Sequence, residues 1–304
     1  VKGLTGFAIG WIKRFPHGYE AFGSNLISSQ FGRLKMEKNS LKMTNKVGKI
    51  IIGTSGFSYP DWKGVFYPPG LKKEDWLKFY AEHYEFCELN FSYYRMPQVQ
   101  QMEKFLSYPL KFAVKAHKSM THDRLTAKAA RQDFFEAVKV LQQDDHLAAV
   151  LLQFPFSFAY TPENRKYLLE LLEDLDTLPL VVEFRHPDWV RNSVFEELTK
   201  HSWGISMLDS PQISGGMPEF DSVTSDIAYL RFHGRNKENW WQGDNVSRYD
   251  YEYHQKELEA WLPRISSMAQ QAKTSYISFN NHARGQAIKN ANQLKTILKR
   301  AELI

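Results

Sequence analysis

The sequence predicts an α/β fold, a single (β/α)8 TIM-type barrel. Three observations carry that expectation. Eight short apolar runs follow one another after Lys46. Amphipathic stretches at helical spacing separate most of them. No sequence repeat and no domain linker interrupts the series, and 304 residues suit one barrel of this kind.

The strands are expected in IIIGTSG (Ile50–Gly56), CELNFSYY (Cys87–Tyr94), KFAVKAH (Lys111–His117) and AAVLLQF (Ala148–Phe154). LVVEFRH (Leu180–His186), WGISMLD (Trp203–Asp209), IAYLRFHG (Ile227–Gly234) and TSYISFNN (Thr274–Asn281) complete the set. Their continuous apolar character indicates burial on both faces, as in a parallel sheet. Helices are expected over Glu74–His83, Arg131–Gln142, Pro162–Leu175, Val194–His201, Tyr251–Ala269 and Gly285–Arg300. In the third of these Leu168, Leu171, Leu172 and Leu175 keep helical spacing. Pro162 suits a first turn and Thr161 a cap. Pro211, Gly215, Gly216 and Pro218 mark a loop after the sixth strand, so one helix is missing or degenerate there.

Composition bounds the rest. Hydrophobic residues make up 43% of the chain, enough for a sizeable core. The one cysteine, Cys87, excludes an intrachain disulfide and any multi-cysteine metal site. It suits a reducing, cytoplasmic setting. No apolar run is long enough to span a bilayer. The net charge is +5, but residues 1–46 hold eight Lys/Arg against Glu20 and Glu37. The remaining 31 basic and 32 acidic residues nearly cancel. Residues 1–46 are therefore expected to be an N-terminal extension, disordered or upstream of the true start, and residues 47–304 the barrel. Bulk charge gives the barrel little support as a nucleic-acid binder.

Side chains two apart on a strand share a face. Glu183 pairs in this way with Arg185, Arg231 with His233, Glu88 with Asn90, and Lys115 with His117. Ser278 pairs with Asn280, Leu151 with Gln153, Met207 with Asp209, and Gly53 with Ser55. All eight strands thus carry polar groups on one parity near their C-terminal ends, where such barrels place their chemistry. A lone buried charge is costly unless paired, and a ring of them at one mouth is hard to explain as packing. The bland account, ion pairs such as Glu183 with Arg185 or Arg231 that merely satisfy each other, weighs less for the ring and about equally for any one member.

Arginine offers a planar donor fork suited to carboxylate or phosphate, so Arg185, Arg231 and Lys115 converging on one mouth suggest a small anionic substrate. Glu183 and His233 are assigned as the acid/base pair, with Glu88 and Asp209 in support. Lys115 serves as an anion clamp or, if desolvated, as a Schiff-base lysine. Ser55, Asn90, His117, Gln153, Asn280 and Asn281 are assigned to ligand binding. His122 is expected at the same mouth, and His186, of opposite parity to Glu183, at the rim. No HExxH occurs and no spacing rule links His117, His186 and His233, so no metal ligand is assigned. The sequence requires no cofactor and leaves a divalent metal open. GTSG (Gly53–Gly56) is neither a nucleophile elbow nor a dinucleotide fingerprint; it is read as a tight turn by which a ligand approaches backbone N–H groups. The aromatic run Trp240 to Tyr253 is read as a stacking surface or a lid.

Seven ordered blocks resemble the domain of unknown function 72 family: GTSGFSYPDWKGVFYP, ELNFSYYRMP, KFAVKAHKSMTH, LLQFPFSF, EFRHPDW, YLRFHGR and SFNNHARGQAIKNA. The similarity runs from about Lys49 to about Leu298. It implies a (β/α)8 barrel and no known reaction. Three functions follow in order of preference: an enzyme acting on a phosphate- or carboxylate-bearing substrate, a nucleic-acid-binding or metal-dependent nuclease-like barrel, and a non-catalytic binder of a small anion. Oligomeric state, substrate and reaction type are not fixed by the sequence.

Overall fold

The eight apolar runs form eight parallel strands that close on themselves in sequence order. The structure, a computed structural model, describes residues 47–124, 128–244 and 246–304. The extension expected over residues 1–46 lies outside the described residues. The strands are β1 (Lys49–Ser55), β2 (Phe86–Leu89), β3 (Lys111–Lys115), β4 (Leu147–Gln153), β5 (Leu180–Glu183), β6 (Gly204–Asp209), β7 (Ile227–Phe232) and β8 (Thr274–Phe279). Several end earlier than the apolar pattern suggests. Phe91–Tyr94, expected as strand, is a short helix.

The helices are α1 (Trp76–Ala81), α2 (Phe91–Tyr94), α3 (Val99–Glu103), α4 (Lys128–Gln143), α5 (Pro162–Asp174), α6 (Asn192–Lys200), α7 (Gln255–Glu259), α8 (Leu262–Gln271) and α9 (Gln286–Arg300). In α5 the Thr161 side chain accepts from Asn164 N at 3.2 Å, and Pro162 opens the first turn. Such a cap contributes about 1 kcal/mol. The single helix expected over Tyr251–Ala269 is two, because Pro263 lacks an N–H and its ring crowds the preceding turn. Residues 210–226, between β6 and β7, contain no helix.

Two apolar layers hold the barrel. The outer faces of the strands, for example Val114, Leu152, Val182 and Phe232, pack against helix residues such as Leu168, Leu171 and Leu172. The interior holds Ile51, Phe86, Ala113, Ala149, Leu151, Val181, Tyr229 and Tyr276. Phe86, Tyr229 and Tyr276 plug the axis, with ring centroids 4.9 to 6.4 Å apart. Each fully buried side chain of this size contributes about 1.5–3 kcal/mol. The plug closes the N-terminal half of the barrel, so polar side chains one layer up stand on a dry floor and face the C-terminal mouth.

The glycines of the first turn serve packing. A Cβ at Gly53 would lie 2.1 Å from Phe86 O, so only glycine lets β1 approach β2 there. Gly56 has φ +92°, and a Cβ on it would strike the Tyr59 hydroxyl at 2.8 Å. That hydroxyl donates to Ser55 O. The turn therefore seats Tyr59 against the backbone where a ligand was expected.

Candidate active site at the barrel mouth

The deepest polar layer is an ion network. Arg231, fully buried on β7, donates from Nε to Glu88 Oε2 at 2.9 Å and from Nη1 to Glu183 Oε2 at 2.6 Å. Its Nη2 donates to Glu88 Oε1 and to Ser55 Oγ. Glu88 also accepts from Ser55 Oγ at 2.6 Å and from the Tyr229 hydroxyl at 3.0 Å. Burial alone would discharge Arg231, but Glu183 and Glu88 outweigh it and hold its pKa above the ordinary arginine value. Burial likewise pushes Glu183 up; the charges of Arg185 and Arg231 reverse this and hold its carboxyl well below the usual range. Glu183 Oε1 lies 2.6 Å from Arg185 Nη2 as an ion pair, out of hydrogen-bond alignment.

His233 is buried behind this network. Its Nε2 is 3.0 Å from Arg185 Nη2 and its Nδ1 3.0 Å from the Asn280 amide. Nε2 also lies 3.4 Å from Glu183 Oε1, so it has a donor and an acceptor beside it, and the atom of Asn280 that faces Nδ1 is the amide nitrogen. Burial, followed by the Arg185 charge, drives the His233 pKa well down, which keeps the ring neutral.

Above the network opens a cavity of about 460 Å³. Its wall carries Lys115, Arg185, Arg231 and Arg248, together with Asn90, Gln153 and Asn280. Aromatic and imidazole rings fill the rest, among them Tyr59, Tyr93, His122, Trp240, Tyr249 and His282. Among the described residues no Asp or Glu lines it. Lys115 Nζ donates to Gln153 Oε1 at 2.8 Å and stands 4.5 Å from the centre of the Tyr93 ring. Burial, then the Arg231 charge, pulls its pKa down to about 7 against the opposing pull of Glu183 and Glu88. His122 falls to about 4, through burial and the Lys115 charge. Three buried polar atoms on the wall, Nε of Arg185, Nε of Arg248 and Oδ1 of Asn90, make no hydrogen bond to any described residue. Among the described residues no group of three or more His, Cys, Asp and Glu is arranged to hold a metal ion.

The fold is shared with known proteins. Residues 51–303 match the model of a family described as "Protein of unknown function DUF72". The chain belongs to that family. A curated relative, UPF0759 protein YunF of Bacillus subtilis (strain 168), is 32% identical over 269 residues, covering 82% of this chain and 94% of YunF. The crystal structure of a DUF72 family protein, TM1631 from Thermotoga maritima, superposes with a TM-score of 0.77 at 36% identity. It covers 83% of this chain and 99% of that one. A second DUF72 structure, EF0366 from Enterococcus faecalis, gives 0.73 at 25% identity, covering 82% and 95%.

In this DUF72 chain the expected ring divides. Lys115, Arg185, Arg231, Asn90, Gln153 and Asn280 share the cavity wall. Glu88, Glu183, Ser55 and His233 lie beneath it and position the cations. Three residues are elsewhere. Asp209 was expected on the inner face, but its β6 register pairs it with Phe232, whose ring packs outward against Trp261 and Phe279. There Asp209 binds Arg235 and accepts from the Tyr253 hydroxyl at 2.7 Å and Trp261 Nε1 at 2.7 Å. Leu208 takes the inward place beside Arg231. Asn281 donates to Tyr251 O and Asn290 Oδ1, which locks it to α9. His117 turns onto Ser119 Oγ at 2.8 Å, beyond the end of β3. His122 does reach the wall, and His186 packs on Phe156 of the cavity rim, as its parity implied.

Tyr59, Tyr93, Arg248 and His282 were not anticipated in the wall. They come from loops and a short helix, which have no period to read. Arg248 and Tyr249 belong to the aromatic run after β7, whose Trp240 stands over Arg185 at 5.6 Å. Trp240, Trp241, Arg248 and Tyr249 of that run line the cavity.

Proposed function

We propose that the mouth binds a small organic anion, bearing phosphate or carboxylate, and transforms it as an enzyme. The observation that carries this reading is the wall itself. Four basic side chains face one cavity with no carboxylate among them, and two of their guanidinium Nε groups have no acceptor among the described residues. The counter-charges Glu88 and Glu183 hold Arg231 and Arg185 in place from below. Arg185 and Arg248 are the anion's partners; Arg231 is already engaged by two carboxylates. Glu183, held ionised, and His233, held neutral and buried, act by positioning Arg185. Proton transfer at the substrate falls to Lys115 and His122, which reach the wall. Asn90 Oδ1 is an acceptor for a substrate hydroxyl or amine.

Charge-assisted hydrogen bonds contribute about 1.5–3 kcal/mol each, or roughly tenfold to a hundredfold in affinity. Titration calorimetry with inorganic phosphate and small phosphorylated and carboxylated metabolites should find a binder. Arg248→Gln should weaken it by about that factor. An unchanged affinity in Arg248→Gln and in Arg185→Gln would remove the assignment.

A second reading, single-stranded nucleic acid, draws on the exposed rings of Tyr94, Phe156 and Trp241 at the cavity rim, since bases stack on such rings. A chain beginning at Lys46 should then bind an oligonucleotide with a steep salt dependence. No binding at low salt discards it.

A further inference from the structure

We infer that Lys115 is an imine-forming lysine, and that the anionic substrate carries an aldehyde or ketone. The inference rests on the anion-binding reading above and deepens it. The placement of Nζ is the first ground. Lys115 ends β3 at the cavity wall, and among the described residues its Nζ donates to a neutral amide, Gln153 Oε1. Glu88 and Glu183, the carboxylates nearest in the fold, are engaged by Arg231, and Glu183 also by Arg185. A lysine serving only as a counter-ion would sit on one of those carboxylates. The second ground is its company. Arg231 on β7 and Arg185 on β5 share its cavity, His122 follows it in the loop, and the Tyr93 ring packs on it from α2. Neighbouring guanidinium charges and desolvation favour the uncharged amine, the form that is nucleophilic. The same cations attract an acidic substrate and leave Nζ free to attack it.

The step balances without a co-reactant. The Nζ lone pair adds to the carbonyl carbon as the C=O π pair moves to oxygen. A proton from nitrogen reaches that oxygen and gives a carbinolamine. The C–O bond then breaks, the remaining N–H proton leaves with the hydroxyl, and one water is released as the C=N bond forms. Protonation of the imine nitrogen from solvent yields a cation that withdraws electrons from the adjacent carbon. A carboxylate or phosphate on Arg185 and Arg248 fixes which carbonyl faces Nζ.

The test is reductive trapping on the full chain. Protein is incubated at neutral pH with sodium cyanoborohydride and either pyruvate or glycolaldehyde phosphate, then mapped by peptide mass spectrometry. The expected result is one reduced adduct per chain on the peptide containing Lys115. Inorganic phosphate in excess should suppress it, and Lys115→Arg should lack it. Thermal stabilisation by inorganic phosphate, measured on the same samples, reports anion binding separately. Phosphate stabilisation with Lys115 unmodified, or adducts confined to surface lysines, overturns the imine and leaves the anion site standing. Loss of both signals overturns the two together.

Discussion

Two buried carboxylate networks flank the same sheet, and they differ in what they leave open. Outside the barrel, Asp209 receives four donors: two from Arg235, one from Tyr253 and one from Trp261. Every lone pair is used, and the group ties the β7–α7 loop to α8. Inside, Glu88 and Glu183 engage Arg231 and Arg185, yet the buried Nε of Arg185 makes no hydrogen bond to a described residue, and Arg185 lines a cavity. Buried charge alone does not mark function. A saturated network leaves no donor for a ligand; one with unsatisfied donors beside a cavity is a candidate binding surface.

The contrast can be tested by breaking each network. Arg231→Met leaves Glu88 without its counter-charge and Glu183 with Arg185 alone, and removal of one partner from a buried ion pair costs about 3–5 kcal/mol. Urea denaturation should show a loss of that order. Asp209→Asn keeps the shape and removes the charge, so it should cost less, about 1–3 kcal/mol. Phosphate affinity should be unchanged in Asp209→Asn; a tenfold loss would place Asp209 in the site after all.

A further test separates the networks by pH. Lys115 has a folded pKa lowered to about 7, against about 10.4 in an unfolded chain. Between these values the unfolded state binds more protons, so stability contributed at this position rises with pH. Below about pH 7 both states are protonated and the full destabilisation by the buried charge is present. Urea midpoints of the wild type, compared with Lys115→Met, should therefore improve from pH 7 towards pH 10. The groups facing Lys115 across this range are Arg231, Arg185, Glu183, Glu88, His122 and Tyr93. A flat difference would mean that the lysine keeps its charge in the fold.

Asp209 also shows where reading a strand by its polar residues fails. Ile205 and Met207 share its parity, and apolar residues on that parity are what an outward face requires. The clue was present in GISMLD, but a polar strand end was read as inward. In β5 and β7 the same rule succeeded, because Val182, Phe184, Leu230 and Phe232 fix the outward face without ambiguity. His117 failed for another reason: it follows the last residue of β3, where alternation no longer governs direction. Asn281 has the opposite parity to Asn280, so alternation itself points it away from the mouth.

The sequence by itself determined the eight strands, the barrel and the inward direction of Glu88, Lys115, Glu183 and Arg231. Those follow from periodicity, which is local and survives in a one-dimensional string. Only the tertiary structure decided that Glu88 and Glu183 serve the arginines from below the wall. It alone brought Tyr59, Tyr93, Arg248 and His282 to the cavity that Lys115 lines. Loops carry no period, and whether a donor is already satisfied depends on partners far away in the chain, such as Arg231 and Glu88. That pairing is set by closure of the barrel, which no single segment encodes.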